Sequence, residues 1–243
     1  MNHELLAVIP ARGGSKGLPG KNTRPFAGLP LIAHTLMMAR MVPEIDRCIV
    51  STDSPEIAAV AKEHGGDVPF LRPAELATSE IAIWPVLQHA LAEVERQEGK
   101  TYKYLLLTDP TSPGRLPEQI SDAFRKLKAT PAADGIIAVS KPDFNPYWVC
   151  VVEKDGWMTD LMSDAAKFVR RQDVPTVYRI NGSFYLWPTE FVRKAKSWRD
   201  GAKLLQYVTP EERAFAIDTL EEFQKAELLV KSGMVPLPWL KKS

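Results

Sequence analysis

Short apolar, β-branched runs alternate along this chain with segments whose apolar residues recur every three or four positions. That alternation restricts the fold to an α/β class with a mainly parallel sheet covered by helices. The expected strands begin at Leu5, Cys48, Tyr104 and Gly135. Between them, Leu116, Ile120, Phe124 and Leu127 form one apolar stripe, and Ile57, Val60 and Ala61 another. A length of 243 residues with 45% hydrophobic side chains can bury a sizeable core within one domain.

After Lys141 the pattern changes to aromatic, Pro-punctuated segments, from Phe144-Asn145-Pro146-Tyr147-Trp148 to Arg170-Arg171-Gln172-Asp173. Residues 141–175 therefore read as an inserted arm within a single 1–243 domain, and the sheet is expected to resume over Thr176–Trp187. Thr219 and Glu222 have the spacing of a capping box and announce a last helix, with Phe223, Ala226 and Val230 on its buried face.

The formal net charge is +1, so no broad basic surface is present for nucleic acid or an anionic membrane. Any anion must be held locally. Cys48 and Cys150 both lie in apolar, strand-like runs and read as small core residues, with no zinc spacing. The first apolar stretch is cut off at Pro10 and Arg12, too short for a signal-peptide core, and no later run could span a bilayer. A cytoplasmic protein is expected.

The most informative segment follows the first strand, Pro10-Ala11-Arg12-Gly13-Gly14-Ser15-Lys16-Gly17-Leu18-Pro19-Gly20-Lys21-Asn22. Ligands of open α/β sheets bind at the carboxyl ends of strands, which is where this loop falls. Its glycines let the backbone approach a ligand, and Arg12, Lys16 and Lys21 add three cations within ten residues. A plain solvated turn needs neither. Phosphate binding, with a triphosphate as the natural guest, accounts for both. The spacing fits neither a P-loop nor the dinucleotide fingerprint.

The loop resembles the Ala-Arg-Gly-Gly-Ser-Lys-x-x-x-x-Lys-Asn signature of acylneuraminate (CMP-sialic acid, CMP-nonulosonate) cytidylyltransferases, complete from Ala11 to Asn22. Further matches follow in the same order: Ser51-Thr52-Asp53, Pro69-Phe70-Leu71-Arg72-Pro73, Pro110-Thr111-Ser112-Pro113, Arg170-Arg171-Gln172 and Tyr178-Arg179-Ile180-Asn181-Gly182. The resemblance implies a single Rossmann-like nucleotidyltransferase domain with a small dimerisation arm. It also implies transfer of CMP from CTP to a nine-carbon 2-keto sugar acid, with Mg²⁺ as cofactor and a homodimer as the working unit. On the same basis Ala11, Arg12, Gly13, Gly14, Ser15, Lys21, Asn22, Arg72 and Ser79 would meet the nucleotide. Thr111, Ser112, Arg170, Arg171, Gln172 and Tyr185 would meet the sugar acid.

Two positions depart from the family pattern. Its usual Gln before Pro-Thr-Ser-Pro is Asp109, and the first aspartate of its Asp-Ile-Asp-Thr is Ala216. In the related Kdo cytidylyltransferases one acid at that strand end and one before the final helix hold magnesium. Asp109 and Asp218 look like that arrangement, so the expected catalytic set is Arg12, Lys21, Asp109 and Asp218, with the two aspartates as metal ligands. A Kdo cytidylyltransferase, a sugar-1-phosphate nucleotidylyltransferase and a nucleotide-binding regulator that has lost catalysis through Ala216 are the competing readings. The Asp109 turn leans the substrate toward a legionaminic-type acid.

Overall fold

A computed structural model describes residues 3–240. In chain order the elements are β1 (His3–Pro10), β2 (Pro25–Phe26), β3 (Leu29–Pro30), α1 (Leu31–Arg40), β4 (Ile45–Ser51), α2 (Pro55–Glu63) and α3 (Ile83–Glu98). Then come β5 (Tyr102–Leu107), α4 (Pro117–Lys128), β6 (Gly135–Ser140), α5 (Pro146–Val149), β7 (Val151–Lys154) and β8 (Trp157–Asp160). The chain closes with β9 (Arg179–Pro188), α6 (Thr189–Lys194), β10 (Leu204–Val208) and α7 (Leu220–Lys231).

Six strands form one sheet in the order β10-β6-β9-β5-β1-β4. β1 lies between β5 and the edge strand β4, with Val8 opposite Ile49 on one side and Leu107 on the other, both pairings parallel. Successive side chains of β1 point to opposite faces, so Leu5 and Ala7 join Met38, Ile120 and Phe124 in one core. Leu6 and Val8 join Leu87, Leu91 and Trp187 in the other. Both faces are covered, which is why these strands read as nearly continuous apolar runs.

One strand breaks the parallel pattern. β9 runs antiparallel to both β5 and β6, and the resumed strand begins at Arg179 rather than Thr176. The residues before it are tied to the foot of the arm, where Asn145 Nδ2 donates to the Pro175 carbonyl at 2.8 Å. Gly182 has φ +71° at the point where the β6–β9 register slips, a conformation that favours glycine.

Between β6 and β9, β7 and β8 pair with each other and are exposed throughout. Cys150 sits at the foot of this hairpin, half-buried between α5 and β7, so the core-residue reading fails for it: its apolar neighbours Val149, Val151 and Val152 are exposed. The reading holds for Cys48 in β4, whose thiol burial pushes up to about 12.

A third core lies at the carboxyl end of the sheet. Leu18, from the middle of the basic loop, is buried with Phe26, Ile217, Phe223 and Ala226. Burying that leucine contributes about 1.5–3 kcal/mol and pins the loop against α7. α7 starts as its sequence predicts: Thr219 Oγ1 accepts from the Glu222 N–H at 3.2 Å, and Glu222 accepts from the Thr219 N–H at 2.8 Å.

Candidate active site

At the carboxyl ends of β1 and β5 a cleft of about 510 Å³ opens between the basic loop, the 72–86 segment, the β5 turn and the start of α7. Arg12, Ser15, Lys21, Asn22, Arg72, Ser79, Asp109, Thr111 and Asp218 all line it. Lys16 adds a further cation. Ile81, Ile83 and Val86 supply an apolar wall that the motifs do not announce; Ile83 and Val86 lie three residues apart at the start of α3, and Ile81 precedes it.

Local bonding explains how the loop holds its shape. Gly13 N–H donates to Asp53 Oδ1 at 3.0 Å, and Arg12 donates to the Thr78 carbonyl at 2.9 Å, which ties the loop to the far lip of the cleft. Asn22 is buried and donates to the Arg12 carbonyl at 3.3 Å. At Gly17 a Cβ would collide with the Asp218 carbonyl oxygen, so glycine permits the loop to lie directly on the segment that precedes α7. Ala11 is buried beneath the loop, whereas Gly13 and Gly14 are exposed.

Arg72 is buried and makes no surface pair with Glu75. Its guanidinium donates to the Ser51 carbonyl and, at 3.1 Å, to the Ser51 hydroxyl. Burial lowers its pKa to about 10, the neighbouring Asp53 acting against that shift, so it stays charged at neutral pH.

The two aspartates differ. Asp218 is held by Lys21, whose ammonium sits 2.6 Å from Oδ1 and also donates to the Ile217 carbonyl at 3.2 Å. Asp109 has its pKa pushed up to about 6 by burial and by the charge of Asp218, with Arg115 and Lys21 opposing. No group among the described residues donates a hydrogen bond to its carboxyl oxygens. Beneath it lies Arg115, 1% exposed, which donates to the carbonyls of Asp109 and Ser183 and, at 2.8 Å, to the Thr35 hydroxyl. Sequence motifs gave this buried cation no role.

Among the described residues no group of three or more His, Cys, Asp or Glu side chains is placed to hold a metal. Two carboxylates on one cleft nevertheless suit Mg²⁺, which protein sites commonly hold by one or two carboxylates and complete with phosphate oxygens and water. An undonated carboxyl at Asp109 and a carboxylate at Asp218 paired with the single ammonium of Lys21 are donors of the kind such an ion takes.

The residues assigned to the sugar acid are not gathered into this cleft, apart from Thr111. Ser112 is buried beneath the turn. Tyr185 stacks on Trp187 at 5.6 Å between ring centroids, and burial raises its pKa to about 12. Arg170, Arg171 and Gln172 are exposed on the arm, and Arg170 is engaged by Asp173 at 2.8 Å. Within one chain they do not form a clamp at the cleft.

A glycine-rich basic loop at the carboxyl end of β1, facing two carboxylates, defines a nucleotide-binding α/β enzyme. A family described as "Cytidylyltransferase" matches residues 6–233. The chain is 36% identical over 196 residues to the CMP-N,N'-diacetyllegionaminic acid synthase of Legionella pneumophila, spanning 80% of this chain and 82% of that one. It is 28% identical over 226 residues to the N-acylneuraminate cytidylyltransferase of Escherichia coli, spanning 93% of this chain and 52% of that longer protein. Its fold is shared with a CMP:2-keto-3-deoxy-manno-octonic acid synthetase solved in complex with CTP, at a TM-score of 0.73 and 18% identity over 95% of this chain and 99% of that one. This chain belongs to the cytidylyltransferase family.

Proposed function

We infer that this protein transfers CMP from CTP to the anomeric hydroxyl of a nine-carbon 2-keto sugar acid of the legionaminic or sialic type, releasing pyrophosphate. The observation that supports it most is the meeting, in one cleft, of Arg12, Lys21 and Arg72 with Asp109 and Asp218. The acid class follows the names of the relatives.

In the reaction the anomeric hydroxyl gives up its proton to solvent as its oxygen forms a bond to the α-phosphorus, while the bond from that phosphorus to the bridging oxygen breaks and pyrophosphate leaves. Negative charge gathers on the phosphoryl oxygens. Arg12 and Lys21, with the N–H groups of the loop, would bind the leaving phosphates, and the apolar wall of Ile81, Ile83 and Val86 would meet the cytosine face; their meeting on one cleft supports that reading. Asp109 and Asp218 would hold Mg²⁺. When bound, that ion neutralises phosphate charge and lowers the pKa of the attacking hydroxyl.

The arm is read as the contact with a second copy of this chain. It exposes Val151, Val152, Trp157, Met158, Leu161 and Val169, far more apolar surface than a solvated hairpin needs. In such a dimer Arg170, Arg171 and Gln172 would reach the partner's acceptor. No helix among the described residues is long and apolar enough to cross a membrane, and the cytoplasm, where CTP is made, is the proposed location.

The test is Mg²⁺-dependent pyrophosphate release from CTP, UTP, GTP and ATP with a panel of ulosonic acids. Turnover restricted to CTP and a nine-carbon acid is expected. Binding of CTP with no turnover of any acid would instead identify a regulator. Sedimentation that finds a fully active monomer would remove the shared-site reading.

A further inference from the structure

Arg115 follows the turn at the end of β5, precedes α4 and is fully buried. Arginine does not give up its charge inside proteins, so the fold encloses a cation here. All of its hydrogen bonds among the described residues go to neutral oxygens, the carbonyls of Asp109 and Ser183 and the Thr35 hydroxyl. A buried charge of this kind is a poor source of stability, because apolar side chains of similar volume commonly do as well or better. What a guanidinium offers and they lack is a rigid fork of donors that fixes several acceptors relative to one another. The three acceptors belong to three parts of the fold: Thr35 to α1, Ser183 to the place where the β6–β9 register slips, and Asp109 to the turn 109–114.

From that turn the order passes to the second aspartate. The Asp109 carbonyl also accepts from the Ser112 N–H at 3.4 Å and from the Thr35 hydroxyl at 3.5 Å, which closes the turn over Arg115. The Thr111 carbonyl accepts from the Ile217 N–H at 3.0 Å, and the Gly114 carbonyl from Arg213 at 3.2 Å. At Gly114 a Cβ would collide with the Arg213 carbonyl oxygen, so the turn lies directly on the 213–217 segment. Asp218 is the next residue along it. The separation of Asp109 from Asp218 is therefore set through backbone that Arg115 holds from beneath.

We propose that Arg115 is a positioning residue for the reaction: by fixing the 109–114 turn it sets the spacing of Asp109 and Asp218, and with it the affinity of the site for Mg²⁺. The proposal rests on the cytidylyltransferase reading and deepens it. Mg²⁺ demands near-ideal octahedral geometry, so a small displacement of one carboxylate weakens its hold. Groups that orient a metal's ligands from behind commonly matter almost as much as the ligands. Arg115 itself does not line the cleft, and the cations Arg12 and Arg72 are placed by Thr78 and Ser51, outside this network. Nucleotide binding and metal binding should therefore part company when Arg115 is changed.

The test compares wild type with Arg115→Met, which fills the space without donors, and Arg115→Lys, which keeps the charge but not the fork. Thermal melts follow folding, calorimetry in EDTA gives CTP affinity, and electron paramagnetic resonance gives the affinity of the CTP complex for Mn²⁺ in place of Mg²⁺. CTP affinity in EDTA should stay within about twofold of wild type, whereas Mn²⁺ affinity in Arg115→Met should weaken about 10- to 100-fold. The Mg²⁺ needed for half activity should rise in step, and Arg115→Lys should recover part of the loss. A merely structural role would lower the melting temperature and the active fraction without moving the metal affinity of the folded molecules. Folded Arg115→Met with wild-type Mn²⁺ affinity would therefore overturn the proposal, and if that variant does not fold, the same result in Arg115→Lys would do so. CTP affinity in EDTA that falls as far as Mn²⁺ affinity would also overturn it, since the whole site would then have collapsed. A wild-type chain that binds CTP and Mn²⁺ yet turns over no acid would sink the enzyme reading, while the Mn²⁺ affinities would still decide what Arg115 does.

Discussion

Replacing Asp109 with Asn should stabilise the protein while it disables turnover. Burial raises the Asp109 pKa from 3.8 to about 6. Between these values the folded chain holds a proton that the unfolded chain has lost, so stability falls as pH rises through roughly 4 to 6, and above 6 the ionised carboxylate is a standing cost. A shift of that size corresponds to at most about 3 kcal/mol, and the partial exposure of Asp109 reduces it to about 1–2 kcal/mol. For a chain of 243 residues this raises the melting temperature by roughly 2–8 °C. Melts of wild type and Asp109→Asn at pH 8 and pH 5 check it: the gain should be present at pH 8 and shrink at pH 5, where the native carboxyl is mostly protonated. Turnover at pH 8 should fall by about 100-fold, with more Mg²⁺ needed for half activity. A variant that melts lower at pH 8 would refute the reasoning, because Asp109 would then be a structural counter-ion for Arg115 rather than a carboxylate held at a cost for chemistry.

Lys21→Ala should lower kcat by about 10²–10³ with a smaller effect on the KM for CTP, since a cation beside the phosphates gains most as charge develops; a pure KM effect in steady-state assays would assign it to uniform binding. Thr219→Ala removes the cap of α7 and should lower stability by about 0.5–2 kcal/mol in denaturant titrations, with loss of activity only in proportion to unfolding.

The fold was legible because parallel strands buried on both faces announce themselves as apolar runs, and Leu5 to Ile9 and Tyr104 to Leu107 do so here. The direction of β9 was not. An apolar run carries no sign of polarity, and the arm before it allows the chain to return either way. At the site, the loop from Ala11 to Asn22 was readable because glycine and cation spacing is local. The pairing of Lys21 with Asp218 joins residues 197 apart, which no local pattern encodes. Arg115 was hidden for a different reason: its acceptors are two carbonyls and a hydroxyl, so no acidic partner in the sequence marks it. The arm residues Arg170 to Gln172 stand apart from the cleft, exposed on the segment between β8 and β9, and nothing in their local spacing announces that separation.

Gly17 tests whether contact between the basic loop and the segment before α7 matters to the nucleotide. Leu18 buries its side chain in the third core, and its neighbour Gly17 lies so close to the Asp218 carbonyl that a methyl group cannot fit without moving backbone. Overpacking of this kind costs about 1–3 kcal/mol. Gly14, three residues earlier in the same loop, has open space where a Cβ would stand, and neither glycine has a positive φ. The pair Gly17→Ala and Gly14→Ala therefore separates local crowding from general loop stiffening. Gly17→Ala should lower stability, displace Lys21 from Asp218 and weaken CTP binding in calorimetry, whereas Gly14→Ala should leave all three nearly unchanged. Equal effects from the two would mean that loop flexibility, and not the contact with Asp218, sets nucleotide affinity.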